Sequence, residues 1–294
     1  MGPTSERTQT VDAEPRVRHA EGWVRGRSGV RLFEQSWAPE SPKAVVVLVH
    51  GFAEHSSRHE AAAVHFARNG YAAQLFDLRG HGRSDGRRCY VADFDEYLDD
   101  TEDAARCAAE KWAGRPVFLL AHSLGGLVAS LFVLDERATP SGLVLSAAAV
   151  KLGKDYSTLK IVTSLIVGRV IPGLPMVRFR SESVSRDPRV VEGYQNDPLV
   201  FHGRTPARTA SEIVRATRRL ASTAERLSVP LFVSHGSRDQ VADIDGSREL
   251  HDRATSLDKT LRIYDGLWHE IMHEPEAELV LREMTDWMDS RVAA

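Results

Sequence analysis

The stretch Pro116-Val117-Phe118-Leu119-Leu120-Ala121-His122-Ser123-Leu124-Gly125-Gly126 decides the fold of this chain. Its apolar beginning predicts a buried strand, and the apolar residues 127–134 that follow it predict a buried helix. A serine on a turn between strand and helix, with small residues two positions before and after it, is typical of a nucleophile elbow, which lifts the hydroxyl above the sheet edge. Here the small residues are Ala121, where glycine is usual, and Gly125. The sequence therefore predicts Ser123 as a nucleophile.

A serine hydroxyl becomes a good nucleophile only when a base accepts its proton and a third group orients that base. Residues 230–235 and 260–264 predict two more strands, each followed by a polar loop. Asp239 lies on the first loop and His269 on the second, which is the chain order that follows a nucleophile elbow. We therefore predict a catalytic triad of Ser123, Asp239 and His269. Asp243 and Asp245 are the nearest alternatives to Asp239.

Acyl transfer also requires an oxyanion hole, because negative charge develops on the former carbonyl oxygen. One donor is expected from the backbone N–H of Leu124, the residue after the nucleophile. The other is expected from the loop after an early strand, here residues 50–55 after the strand 44–49. Gly51 permits a sharp turn in this loop, which makes the N–H of Phe52 the predicted second donor. The mechanism needs no metal and no organic cofactor.

His122 stands directly beside the predicted nucleophile and could be taken for the base. Adjacent residues on a tight elbow point in different directions, however, so we predict that His122 is a packed structural histidine.

Composition excludes several classes of protein. The net charge of −3, with both signs interspersed, gives no basic footprint for nucleic acid. Cys89 and Cys107 are the only cysteines, which gives no disulfide framework and suits a reducing compartment. Residues 1–20 are predicted to form a disordered tail, since the polar start lacks the apolar region of a secretory signal. No apolar run is long enough for a transmembrane helix. We therefore expect a cytoplasmic protein that visits membrane surfaces peripherally.

Strands and helices alternate along most of the chain, which predicts an α/β fold with a mostly parallel central sheet and helices on both faces. Residues 22–26 and 30–37 predict an antiparallel hairpin at the sheet edge. The alternation runs from residue 44 to 149, stops, and resumes at 228. Residues 21–149 and 228–294 are thus predicted to form the core, and 150–227 an insertion with helices at about 156–169 and 205–226.

Several segments of the chain carry a resemblance to a known family. They are His50-Gly51-Phe52-Ala53-Glu54-His55-Ser56-Ser57-Arg58-His59, Asp77-Leu78-Arg79-Gly80-His81-Gly82-Arg83-Ser84, the Ser123 elbow, Ser185-Arg186-Asp187-Pro188, Tyr194-Gln195-Asn196-Asp197-Pro198-Leu199-Val200 and Leu267-Trp268-His269-Glu270. Together they resemble the bacterial monoacylglycerol lipases of the α/β-hydrolase superfamily. The segment 77–84 is shared widely among α/β-hydrolases, whereas 50–59 and 185–200 are more particular to monoacylglycerol lipases and related lysophospholipase-like hydrolases.

The resemblance implies an α/β-hydrolase fold in which the insertion 150–227 is a mainly helical cap over the active site. It implies a serine hydrolase that cleaves carboxylic esters, above all monoacylglycerol to glycerol and fatty acid. Glu54, Arg58 and Tyr194 match positions near the polar head of the substrate in this family. Glu54 and Arg58 are also four residues apart at a helix start, so a surface ion pair is the simpler alternative. Phe52 is bulkier than the residue in many relatives, which would narrow the head-group pocket.

The cap is unusually apolar between residues 159 and 174, where only Lys160 and Arg169 are charged. These apolar side chains either pack inward or line an acyl channel and form a rim that touches lipid aggregates. Ile166 and Val170 are the predicted positions of such substrate or lipid contact.

Three other functions remain open from the sequence. A lysophospholipase would need a basic pocket for phosphate, for which the cap offers Arg178, Arg180 and Arg186, and a broad carboxylesterase would need less. A non-catalytic binding protein on the same fold is the third possibility, since fold does not fix function. The presence of Ser123, Asp239 and His269 together argues against it.

Overall fold

The computed structural model describes residues 16–27, 29–151, 158–178 and 180–292, and for residues 158–161 it describes the backbone only. Its strands are β1 (Arg18–Arg25), β2 (Arg31–Ala38), β3 (Ala44–Val49), β4 (Tyr71–Phe76), β5 (Val117–His122), β6 (Gly142–Ser146), β7 (Pro175–Arg178), β8 (Arg204–Pro206), β9 (Leu231–Gly236) and β10 (Lys259–Tyr264). Its α-helices are α1 (Glu60–Arg68), α2 (Asp95–Lys111), α3 (Leu124–Leu134), α4 (Thr158–Val170), α5 (Pro188–Asn196), α6 (Ala207–Thr223), α7 (Ile244–Arg253) and α8 (Ala277–Val292).

The main sheet has eight strands in the order β1-β2-β4-β3-β5-β6-β9-β10. β1 and β2 pair antiparallel at one edge, and β2 pairs antiparallel with β4. All remaining neighbours are parallel. The predicted α/β-hydrolase fold, including its edge hairpin, is therefore confirmed. Because parallel strands end at the same edge, the loops after β3, β5, β9 and β10 meet there.

Both faces of the sheet are covered. Every residue of β3 is buried: Val45, Val47 and Val49 face one apolar cluster, and Val46 and Leu48 face the other. The first cluster includes residues of α2 and α3, and the second includes residues of α1 and α8. A strand buried on both faces reads as a continuous apolar run, which is why β3 and β5 were predictable without alternation.

The predicted tail was too long at its carboxyl end. β1 begins at Arg18, and residues 18–20 pair with 36–38 of β2. His19 stacks on Trp37 with ring centroids 4.3 Å apart. Residues 18–20 are all exposed, so no apolar alternation marked this part of the strand. Residues 1–15, on which the rest of the tail prediction falls, lie outside the described residues.

The insertion between β6 and β9 contains α4, β7, α5, β8 and α6 in chain order, and β7 and β8 pair antiparallel as a separate two-stranded sheet. α4 and α6 match the two predicted helices. The short elements were missed because they are mostly exposed: α5 depends on Pro188 at its first turn and on Asp187, which caps it by accepting the N–H of Arg189. A Cβ on Gly168 of α4 would lie 2.4 Å from Ser211 Oγ of α6, so the two helices approach closely there.

The core extends further into the insertion than the predicted boundary at residue 227. Ala216 and Leu220 of α6 and the following Ala224 pack in the same apolar cluster as Leu131 of α3. The second half of α6 thus belongs to the core, because its apolar stripe packs against α3.

None of the helices in the described part of the chain combines the length and apolar character needed to cross a bilayer. Cys89 is buried, Cys107 is half-buried, and both are free thiols.

Candidate active site

Ser123 lies on the turn between β5 and α3 with φ 51° and ψ −119°, a conformation that non-glycine residues rarely adopt. Its N–H donates to the carbonyl of Ser146 on β6 at 3.0 Å, which helps to hold the strained turn. A Cβ on Gly125 would lie 2.3 Å from the Val49 carbonyl oxygen of β3. The helix therefore passes β3 so closely that only glycine fits two positions after the serine, as the elbow pattern requires.

The structure brings Ser123, His269 and Asp239 together from three loops at the carboxyl edge of the sheet. His269 Nε2 lies 2.9 Å from Ser123 Oγ, and His269 Nδ1 lies 2.7 Å from Asp239 Oδ2. Burial opposes a charged imidazole, but the adjacent carboxylate outweighs it and raises the pKa of His269 above its ordinary value. Burial also opposes an ionised Asp239, yet its pairing with His269 and His235 holds the pKa of Asp239 far below its usual range. The pair is therefore set for proton acceptance by the ring nitrogen that faces the serine.

Asp239 is held by more donors than the sequence indicated. Its Oδ1 accepts the N–H groups of Val241 at 2.7 Å and Ala242 at 3.0 Å. Its Oδ2 lies 3.0 Å from Nε2 of the fully buried His235 on β9, and His235 Nδ1 lies 2.8 Å from Ser247 Oγ of α7. A single histidine at the end of an apolar strand carried no catalytic signal, so sequence reasoning missed it.

The alternative acids have other partners. Asp243 caps α7 by accepting the N–H of Asp245 at 3.0 Å, and Asp245 pairs with Arg248 at 3.0 Å. The described contacts of Asp239, and not those of Asp243 or Asp245, include His269.

The two residues that are predicted to supply the oxyanion donors both lie beside Ser123. Leu124 is the first residue of α3, where a helix N–H has no partner within the helix. Phe52 follows Gly51, whose Cβ position would lie 3.0 Å from Ser123 Cβ, so the loop runs directly beside the nucleophile. No hydrogen bond within the described part of the chain uses the N–H of Leu124 or of Phe52. The Phe52 ring packs edge-on against His81, with centroids 5.7 Å apart.

His122 is fully buried and takes no part in the pairing with the serine. Its Nδ1 lies 3.1 Å from the Ser146 carbonyl oxygen, and its ring lies beside that of His269 at 4.9 Å between centroids. Burial lowers the pKa of His122 well below its ordinary value, so the ring is neutral at neutral pH. It forms an uncharged wall behind the predicted base.

Glu54 and Arg58 form an ion pair at 3.3 Å, but the predicted surface location was wrong because both side chains are buried. Arg58 Nη2 donates to both oxygens of Glu270, at 2.8 and 2.7 Å, and its guanidinium lies 4.5 Å from the centre of the Tyr194 ring. Glu54 Oε1 lies 3.2 Å from His59 Nε2. Tyr194 comes from α5, so this polar cluster joins the insertion to the loop beside Ser123.

The apolar face of the insertion is open to solvent. Val162, Ile166 and Val170 succeed one another at four-residue spacing on α4 and are 44%, 59% and 70% exposed. Ile171 and Leu174 continue this surface and are also exposed. The expectation that part of the run stays exposed is confirmed, while the side chains of Leu159 and Ile161 lie outside the described residues.

Of the three arginines that could have bound phosphate, Arg186 is already paired with carboxylates. Arg186 Nε donates to Glu274 at 2.7 Å and its Nη2 to Glu276, so this charge is already neutralised. Arg178 and Arg180 are exposed on the insertion.

The chain is similar to known proteins over most of its length. Residues 40–276 match the family described as serine aminopeptidase, S33. A monoacylglycerol lipase of Mycolicibacterium smegmatis is 37% identical over 91% of this chain and 96% of its own length. The monoglyceride lipase of Homo sapiens is 31% identical over 90% of this chain and 89% of its own. The crystal structure of the Paleococcus ferrophilus monoacylglycerol lipase superposes with a TM-score of 0.79 at 28% identity, covering 88% of this chain and 99% of that one.

Proposed function

The chain belongs to the monoacylglycerol lipase family of α/β-hydrolases, and from this premise we propose that it cleaves monoacylglycerol to glycerol and fatty acid with Ser123, His269 and Asp239 as its catalytic residues. The observation that carries the proposal is the continuous path of short contacts from Ser123 Oγ through His269 to Asp239, at 2.9 and 2.7 Å. This path lies at the carboxyl edge of the main sheet, and the family to which the chain belongs cleaves carboxylic esters.

In the first half of the reaction, His269 Nε2 accepts the proton of Ser123 as Oγ attacks the ester carbonyl. Asp239 holds the hydrogen of His269 on Nδ1 and stabilises the imidazolium that forms. The N–H groups of Phe52 and Leu124 donate to the oxyanion of the tetrahedral intermediate. Collapse of the intermediate breaks the ester bond, His269 Nε2 protonates the departing glycerol, and the acyl group stays on Ser123.

In the second half, water replaces glycerol and gives a proton to His269 Nε2 while its oxygen attacks the acyl carbonyl. The same two N–H groups stabilise the second oxyanion. The intermediate then expels Ser123 Oγ, which regains its proton from His269, and the fatty acid leaves.

We further propose that Arg58, Tyr194 and Glu54 border the space for the glycerol head. The Arg58 guanidinium lies 4.5 Å from the centre of the Tyr194 ring, Tyr194 is buried, and the Arg58 side chain is only 9% exposed. Polar groups fixed by such contacts suit a small alcohol with several hydroxyls, because each hydroxyl needs a placed partner once water is excluded.

Substrate supply is proposed to use the exposed apolar surface of α4, centred on Ile166 and Val170. Monoacylglycerols with long chains sit in lipid aggregates, so an enzyme that takes them must contact an apolar surface. An exposed apolar stripe on a helix is typical of peripheral insertion at such an interface.

Purified protein assayed in parallel on monoacylglycerol, lysophospholipid and a short p-nitrophenyl ester tests the proposal. We expect the highest kcat/KM on monoacylglycerol, and loss of hydrolysis together with loss of fluorophosphonate labelling in Ser123→Ala. Thermal unfolding of that variant should match the wild type, since only one hydroxyl is removed. Hydrolysis by Ser123→Ala well above the buffer rate would exclude Ser123, and a preference for lysophospholipid would exclude the proposed substrate.

A further inference from the structure

Gly51 is held at both of its backbone polar groups by buried side chains. Its N–H donates to Glu54 Oε1 at 2.5 Å, and its carbonyl oxygen lies 2.7 Å from Nδ1 of His50. His50 and Glu54 are both almost completely buried. A backbone unit fixed at both ends by buried partners has little freedom to rotate.

Hydrogen-bond chemistry defines the direction of the bond between His50 and the Gly51 carbonyl. His50 Nε2 lies 3.0 Å from the N–H of Leu78, which can only donate, so Nε2 is the acceptor. The ring hydrogen is therefore on Nδ1 and points at the Gly51 carbonyl. Burial lowers the pKa of His50 to about 4, which keeps this neutral form at neutral pH.

The same contacts fix the N–H of the next residue. The Gly51–Phe52 peptide is trans and planar, so the Gly51 C=O and the Phe52 N–H point in opposite directions along one rigid unit. When His50 holds the carbonyl on one side, the Phe52 N–H is aimed to the other. The position that a Gly51 Cβ would take lies 3.0 Å from Ser123 Cβ and 2.7 Å from Glu54 Oε1, so the loop, the nucleophile and the carboxylate meet at this glycine.

We propose that His50 and Glu54 are positioning residues that aim the Phe52 N–H at the oxyanion by clamping Gly51. The inference rests on the proposed acyl-transfer function, and it adds a role for Glu54 beyond the glycerol side of the site. Glu54 Oε1 is already engaged by Gly51 and His59, and Oε2 by Arg58, so its first task is structural support of the reacting centre.

The charge state of Glu54 fits this role. Burial opposes ionisation, but the neighbouring His59 and the Arg58 guanidinium hold the pKa of Glu54 well below its usual range. An ionised carboxylate accepts a stronger hydrogen bond from the Gly51 N–H than a neutral group does.

The test compares Glu54→Ala with the conservative Glu54→Gln on two esters. One is monoacylglycerol, and the other is a short p-nitrophenyl ester that lacks glycerol. Removing an oxyanion donor outright costs about 10²–10³-fold in kcat, so misdirecting one should cost about 10- to 100-fold. We expect Glu54→Ala to lose this factor in kcat on both esters with KM little changed, and Glu54→Gln to recover most of it because the amide oxygen still accepts the Gly51 N–H.

Two inhibitors separate positioning from substrate contact. A trifluoromethyl ketone forms an oxyanion with Ser123, so its affinity should fall in Glu54→Ala by the same factor as kcat/KM. A monoalkylglycerol ether forms no oxyanion, so its affinity reports only the glycerol side of Glu54 and should fall far less than the affinity of the ketone. Glu60→Ala, which removes an exposed carboxylate at the start of α1, is the matched control and should leave all of these values unchanged.

A loss confined to monoacylglycerol, with weaker binding of the glycerol ether and unchanged binding of the ketone, would overturn the inference and leave Glu54 as a glycerol contact only. Should Glu54→Ala fail to fold, His50→Gln supplies the second measurement and should show the same parallel loss on both esters. Inactivity of the wild-type protein on both esters would instead refute the proposed function itself.

Discussion

The site around Ser123 and the surface of α4 differ in which side chains are buried. At the site, polar side chains are buried and almost every one has a partner: Asp239 alone receives contacts from His269, His235 and two backbone N–H groups. On α4, apolar side chains are exposed, and Val170 reaches 70%. Fixed buried dipoles favour chemistry, because they need no reorganisation during the reaction. An exposed apolar stripe favours binding to a lipid phase. On the proposed function, reaction and substrate capture are therefore expected in different regions.

The largest effect is expected from Asp239→Asn. The amide can hold His269 in the wrong tautomer, so kcat should fall by about 10⁴-fold while KM changes little. Steady-state kinetics on the soluble p-nitrophenyl ester measures this without lipid binding. A near-normal rate would transfer the role of the acid to another residue and break the assignment of chemistry to this site.

The pH dependence of the activity should also report on the site around Ser123, with a smaller effect than that of Asp239→Asn. His269 must be neutral to accept the serine proton, and Asp239 raises its pKa, so activity should be full above that pKa and lost as the pH falls through it. The limb should lie above the ordinary histidine value of about 6.5, with a loss of about tenfold for each further unit of pH.

The matched comparison is the pH profile of the residual activity of Asp239→Asn. Its acid limb should move to lower pH, because this variant lacks the carboxylate that raises the pKa of His269. A wild-type profile that stays flat from mildly acid to alkaline pH, measured where chemistry limits the rate, would exclude a histidine base.

The smallest effect should come from α4 and should be seen only with lipid. Burying one Ile or Val side chain is worth about 1.5–3 kcal/mol, and tenfold in affinity equals about 1.4 kcal/mol. Ile166→Glu combined with Val170→Glu should therefore weaken binding to monoacylglycerol vesicles by about tenfold or more by this measure. Hydrolysis of the soluble ester should be unchanged.

Leu257→Glu with Leu279→Glu is the control for this variant, since both leucines are exposed on the core, away from α4. It should alter neither vesicle binding nor hydrolysis. An equal loss of the α4 variant on both substrates would mean that Ile166 and Val170 support the fold, and an unchanged vesicle affinity would move lipid docking to another surface.

The sequence predicted best where a strong local pattern and a steric rule coincide. The elbow was recognisable because Gly125 must lack a side chain against the Val49 carbonyl, and β3 because both of its faces are buried. Asp239 and His269 followed from the order of strands, since each stands in a loop at the same sheet edge.

What sequence reasoning missed depends on contacts between distant segments. From its local sequence His235 is predicted only as a core residue, because its contact with Asp239 forms only in the folded chain. The start of β1 likewise depends on the stacking of His19 on Trp37. The burial of Glu54 and Arg58 likewise requires Glu270, which is 212 positions from Arg58 in the chain. No local pattern contains such information.

The loop beside the nucleophile is also fastened to the insertion. Phe201 donates its N–H to the Ala53 carbonyl at 2.8 Å, and Asp197 Oδ2 lies 2.8 Å from His55 Nε2. For protein engineering, the segment that has to be exchanged between relatives is therefore larger than the insertion. A chimera that receives the insertion of a relative has to receive that relative's residue at position 55 as well and has to keep the backbone path at residue 53, since a graft made at the chain boundaries alone would set the new insertion against a loop that does not match it.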